Sequence, residues 1–178
     1  MPTSVRPFQS ERVTKPSSLE GFSLPPAFTE GAPLDLEIGC GVGWHPIKYA
    51  KRNPDRRLIA IEHTREKFER FEGRTEKNGS PSNLLPVHAD AVSWVTHAIE
   101  KESVDRIFLL YPNPEPNNPN KRWFRAPFFE RLMWILTPGG TITLATNVES
   151  YMSEALRYAR DVWGLEVESH RSFTKVDE

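Results

Sequence analysis

The segment Glu37-Ile38-Gly39-Cys40-Gly41-Val42-Gly43 has the residue types and spacing best suited to holding a small ligand. Glycines placed this way let the backbone turn sharply and let a ligand lie against the main chain with no Cβ in its path. Glu62 follows nineteen residues after Gly43, where a carboxylate can accept hydrogen bonds from ribose hydroxyls. His63 stands beside it, and Asp90-Ala91 lies further along the chain, where an acid could serve a ligand or a helix. Asp90 can equally cap a helix beginning at Ala91, and Glu37 can pair with a local cation instead of a ligand. Trp44 occupies the position where a dinucleotide fingerprint requires glycine or alanine, and its bulk argues against a pyrophosphate. Cys40 reads as a small packed residue. His63, His88 and His97 are too scattered to form a metal site.

A second group of residues suits the other partner in a reaction. Pro112, Pro114, Pro116 and Pro119 interrupt an otherwise well-patterned region and mark the place where a substrate would meet the protein. The run Lys121-Arg122-Trp123-Phe124-Arg125 follows. Cations there can meet phosphates and rings can stack on bases, or the rings can enter the core and leave the cations solvated.

The elements that must position these groups alternate. Leu34 to Ile38 reads as a strand running into the glycines, and His45 to Arg52 as a short helix stopped by Asn53-Pro54. Arg57 to Ile61 is a second strand ending at Glu62. A helix follows from Thr64 to about Lys77, closed by Asn78-Gly79. Leu84 to His88 is a third strand, with a helix from Ala91 to about Lys101. Val104 to Leu110 is the fourth and most apolar strand. Phe124 to Leu136 is expected to be helical, Thr137 to Gly140 a turn, Thr141 to Thr146 a fifth strand, Ser150 to Trp163 a helix and Leu165 to Arg171 a sixth strand. Such alternation implies an α/β fold with a mostly parallel sheet and helices on both faces.

Among 178 residues, 38% are hydrophobic and 26% charged, as in an ordinary soluble domain with a real core. Residues 1–33, rich in proline, read as an irregular arm, and residues 34–178 as one ligand-binding domain. A net charge of −1 gives no general attraction to polyanions, so any such site must be a local patch. A single cysteine excludes disulfides within the chain and suits a reducing compartment. No apolar run approaches a bilayer span, and Met1 to Ser10 lacks the apolar core of a secretion signal. The expectation is a cytoplasmic protein with no membrane partner.

The spacing Gly-x-Gly-x-Gly led by an acid resembles the first motif of Rossmann-like class I methyltransferases. More narrowly, the chain resembles the bacterial tRNA (guanine-N7)-methyltransferase family over most of its length. Arg12-Val13-Thr14-Lys15, Leu36 to Gly43, Ile59 to Glu62, Phe108 to Pro114, Leu136 to Gly140, Leu144 to Asn147, Tyr151 and Thr174 to Asp177 carry the likeness. The resemblance implies S-adenosylmethionine as cofactor, S-adenosylhomocysteine as product, tRNA as substrate and no metal. Glu37, Gly39, Gly41, Gly43, Glu62, His63, Asp90 and Ala91 would then face the cofactor. Asn113, Asn147 and Asp177 would stand at the reacting base, joined on the acceptor side by Thr174 and by Lys121, Arg122 and Arg125.

This sequence departs from the family at the acceptor end. Asn113 and Asn147 replace aspartates, Glu115 replaces a tryptophan, and Asp177 replaces a glutamate. The basic run is thinner, and the chain ends near Glu178 where the family has a further, antiparallel strand. Two other readings stay open. Asn113-Pro114-Glu115-Pro116 is a variant of the Asn-Pro-Pro-aromatic motif that holds amines in amino-group methyltransferases. Alternatively, the chain is a non-catalytic RNA-binding relative or one subunit of a complex. A monomer, a homodimer and a partner subunit are all compatible with the sequence.

Overall fold

In the computed structural model, residues 4–29 and 31–172 are described. Five strands form one sheet in the order β3-β2-β1-β4-β5, with every pairing parallel. They are β1 (Leu34–Ile38), β2 (Arg57–Glu62), β3 (Leu84–His88), β4 (Val104–Leu110) and β5 (Leu136–Ala145). The helices are α1 (Trp44–Arg52), α2 (Arg65–Lys77), α3 (Ala91–Ala98), α4 (Phe129–Ile135) and α5 (Glu149–Asp161). Leu36, Ile38, Ile59, Ile61, Ile107 and Leu109 form the larger core with α3, α4 and α5. Leu58 and Ala60 pack on the other face with Ile47, Ala50 and Phe71 of α1 and α2.

β1 shows how this burial works. Its five residues are all buried, although alternate ones are acids. Asp35 lies wholly out of water and is satisfied by the Arg56 guanidinium, which donates at 2.7 and 2.5 Å, and by the Tyr49 hydroxyl at 2.6 Å. A buried carboxylate persists only with such partners.

Three expectations need correction. The helix expected over Phe124 to Leu136 is a 3-10 turn at Trp123–Arg125 followed by the shorter α4. Pro127 separates the two, since proline restricts the residue before it to extended backbone. The Thr137 to Gly140 turn is an irregularity inside β5. Val104 pairs with Leu136 and Arg106 already with Thr141, so residues 137–140 bulge opposite Asp105. A Cβ on Gly140 would meet the Asp105 carbonyl at 2.9 Å, and Thr137 donates to the Asp105 carboxylate. Finally, Leu165 to Arg171 is described but forms no strand, and no antiparallel pairing occurs among the described residues.

The amino-terminal segment is irregular, with 3-10 turns at Ser10–Arg12, Ser17–Leu19 and Pro26–Phe28. It is nevertheless fastened to the helices. Phe8 packs edge-on against Phe128 and its amide donates to Glu130. The Val13 and Thr14 carbonyls meet His97 and Ser93 of α3. No described helix is long and apolar enough to cross a membrane.

Candidate cofactor and acceptor site

The site is built at the carboxyl ends of the strands, where open parallel sheets leave a crevice. β1 runs out at Ile38, and Gly39 and Cys40 donate their amides to the Ile61 carbonyl of β2 at 2.8 and 3.1 Å. The chain then turns through Gly41 (φ 61°) and Gly43 (φ 83°), left-handed conformations that glycine adopts without penalty, into α1. Glu62, only 5% exposed, closes this loop from the next strand. One carboxylate oxygen accepts the Gly41 amide at 2.8 Å and the other the Thr64 amide at 2.7 Å. Each oxygen keeps a lone pair for a further donor.

The three glycines play different parts. A Cβ on Gly39 or Gly41 would project into open space. One on Gly43 would run into the ring of Phe71. Gly39 and Gly41 therefore border an open cradle, whereas Gly43 allows α1 to pack against α2.

Glu37 is 2% exposed and its Oε2 lies 2.7 Å from His45 Nδ1. The neighbour of Glu37 is a histidine that sequence reasoning passed over. The signal was available, because a tight loop after β1 must return the first turn of α1 over the end of that strand. His45 also packs edge-on against Phe108 of β4. Between Glu37 and Glu62 the Cys40 thiol is pushed well above its ordinary range, first by burial and then by the charges of both acids. It is therefore a poor nucleophile at neutral pH. The same two charges give the cradle a negative potential, which suits a cationic ligand and opposes a pyrophosphate.

Asp90 is exposed and its carboxylate accepts the Ser93 amide at 2.8 Å, as a cap of α3. Ala91 is buried in the first turn of that helix. His63 is exposed and its carbonyl lies 3.1 Å from His88 Nε2.

At the far ends of the next two strands, Leu110 of β4 pairs with Ala145 of β5, so Asn113 and Asn147 emerge just past neighbouring strand ends. Both are exposed. Asn113 Oδ1 accepts the Glu115 amide at 3.2 Å, which leaves its amide nitrogen to donate outward. Tyr111, two residues before it, has φ 50°, a strained conformation for an aromatic residue, and is 62% exposed. Arg122 and Arg125 are not free to meet phosphates. Both grip Glu154 of α5, at 3.2 and 3.1 Å, and Arg122 also donates to the Pro114 carbonyl at 2.7 Å. They hold the proline-rich loop onto α5. Lys121 is exposed. Phe124 is buried and Trp123 half-buried, so this aromatic pair belongs to the core. Thr174 and Asp177 lie outside the described residues.

Residues 31–175 match the model of a family described as "Putative methyltransferase". The chain is 33% identical over 134 residues to a tRNA (guanine-N(7)-)-methyltransferase of Roseobacter denitrificans, covering 74% of this chain and 57% of that protein. It is 32% identical over 143 residues to the protein of the same name from Nitrosomonas eutropha, covering 79% and 63%. The chain thus spans roughly three fifths of the length of these relatives. In fold it is similar to the crystal structure of precorrin-6y C5,15-methyltransferase from Geobacter metallireducens, with a TM-score of 0.59 at 17% identity, covering 73% of this chain and 63% of that one. The match over residues 31–175, together with the open loop and buried Glu62 at its centre, places the chain in this methyltransferase family.

Proposed function

We propose that the chain transfers the methyl group of S-adenosylmethionine to N7 of a guanine in tRNA. The observation that carries this reading is the arrival of the glycine loop, Asn113 and Asn147 at the carboxyl ends of three adjacent strands, β1, β4 and β5. The names of the relatives support the choice of acceptor.

The residues present fit the cofactor. The open face of Gly39 and Gly41 admits a ligand against the main chain, and Glu62 retains lone pairs for ribose hydroxyls. Glu37 and Glu62 supply negative potential for a sulfonium. Asp90 would meet the nucleoside only through its remaining lone pairs, since it already caps α3. When bound, S-adenosylmethionine supplies an electrophilic methyl group.

The protein's own task is placement. N7 of guanine presents a lone pair and loses no proton on methylation, so no general base is required. Alignment of such a nucleophile is worth up to about 7–11 kcal/mol in favourable cases. The Hoogsteen edge of guanine offers two acceptors, N7 and O6. The free amide nitrogen of Asn113 donates to O6, which holds N7 beside it, and Asn147 flanks the base from β5. The turning of Asn113 Oδ1 into its own loop disfavours an amine acceptor, which would need that oxygen.

The test is transfer from labelled S-adenosylmethionine to unmodified tRNA, with the product nucleoside identified by mass spectrometry. 7-Methylguanosine is the expected product. No transfer, with cofactor binding verified in the same sample, would overturn the acceptor assignment. Asn113→Ala should keep cofactor affinity and slow transfer roughly ten- to hundredfold; equal loss of both would remove Asn113 from the acceptor side.

A further inference from the structure

With Arg122 and Arg125 committed to Glu154, the basic run after β4 no longer supplies a path for RNA phosphates. Another basic surface is exposed. α1 carries no acidic residue, and Trp44, Lys48, Lys51 and Arg52 are all exposed along it. At 3.6 residues per turn these four positions fall within one third of the helix circumference. Pro46, Ile47 and Ala50 occupy the opposite, buried face. The stripe begins at the mouth of the glycine loop and runs about 12 Å down the helix.

Its first residue is unusual. Trp44 is 61% exposed, yet it is held in place. The Arg74 guanidinium lies 4.0 Å from the centre of its ring, and the same guanidinium donates to the Val42 carbonyl of the loop. One side of the indole is braced by a cation that is itself tied to the backbone. An indole fixed in water beside a row of lysines and arginines is a platform for a nucleobase, with cations following for the backbone. Lys48 and Arg52 form no ion pair among the described residues, and Lys51 donates only to the Asn78 side chain at 2.9 Å.

We infer that α1 is an RNA-tracking surface: Trp44, braced by Arg74, stacks an unpaired base flanking the reacting nucleotide, and Lys48, Lys51 and Arg52 take the adjoining phosphates. This rests on the proposed RNA acceptor and adds the route by which RNA reaches the site.

The experiment measures binding of fluorescently labelled tRNA and of an unrelated single-stranded RNA by anisotropy, over a series of salt concentrations. The proteins are the full chain, a Lys48→Gln/Lys51→Gln/Arg52→Gln variant, Trp44→Ala, Trp44→Phe and Lys121→Gln. The triple variant is expected to lose at least tenfold in affinity at low salt. Its slope of log affinity against log salt should fall by about 2 on single-stranded RNA. Its affinity for S-adenosylmethionine, measured by calorimetry, should be unchanged. Trp44→Ala should weaken RNA binding about tenfold, with recovery in Trp44→Phe. Unchanged affinity and slope in the triple variant would overturn the inference. So would a larger loss in Lys121→Gln alone, or no RNA binding by the unaltered chain. Because binding is read without turnover, the two proposals fail separately. RNA held through α1 with no 7-methylguanosine formed would sink the acceptor assignment only. Full-rate methylation by the triple variant would sink the α1 path only.

Discussion

Gly41 and Gly43 stand two residues apart in one loop, share positive φ, and answer differently to the same substitution. Gly41→Ala meets no neighbour and incurs only the left-handed strain of about 1 kcal/mol. Its effect should appear in cofactor affinity. Gly43→Ala drives a methyl into the Phe71 ring, and strain with overpacking should cost about 2–4 kcal/mol of stability. Urea unfolding of the two variants, beside calorimetric titration with S-adenosylmethionine, separates the effects. Equal destabilisation would mean that the two glycines share one role. In the sequence they look alike, because a glycine records the freedom it gives and not whether a ligand or a neighbouring ring uses the space. Glu37 poses the same difficulty. Its position after a strand marks it as important, but its neighbour His45 is brought to it only by the return of α1 across the sheet.

At the scale of elements, the parallel strands and most helices follow directly from apolar runs bounded by glycine, asparagine and proline. β1 through β4 lie where alternation and hydrophobicity put them. The stretch from Trp123 to Ala145 did not, because its local signals conflict. A helical apolar pattern there contains Pro127, and a turn signal at Pro138-Gly139-Gly140 is absorbed by pairing with β4 on both sides. The role of Arg122 and Arg125 was equally hidden, since their partner Glu154 lies on α5, about thirty residues on. That three-way contact fixes the proline-rich loop to its neighbour. Glu154→Ala should leave two guanidiniums without their carboxylate and cost about 2–3 kcal/mol. Hydrogen exchange should rise in residues 112–122 while β1 and β2 keep their protection. Unaltered exchange in that loop would show that its prolines, and not the ion pairs, hold it.

At the scale of the whole molecule, three acidic protons among the described residues are held more tightly than in the unfolded chain. Burial raises the pKa of Cys40, Tyr49 and Tyr151, with Glu37 and Glu62 adding to the first and a hydrogen bond to Asp35 adding to the second. Each group holds its proton more tightly folded than unfolded. The stability they confer is complete below their ordinary values of 9.0 and 10.0, where both states are protonated. Above those values the unfolded chain gives up protons first, and stability falls. Urea midpoints should therefore drop as pH rises from about 9 to about 11. Tyr151→Phe should flatten part of that fall. A midpoint unchanged across this range would contradict the burial assigned to these groups.

The strand order β3-β2-β1-β4-β5 carries a consequence in time. During synthesis β1, β2 and β3 emerge together and can pair as they appear. The other edge of β1 must wait for β4, made roughly 65 residues later. At about 5–20 residues per second that is a delay of roughly 3–13 s, during which the apolar centre of the sheet has an open side. The nascent half-sheet is therefore the stage at which the chain is most exposed to misassociation, and the strand that ends its vulnerability is the same one that delivers Asn113.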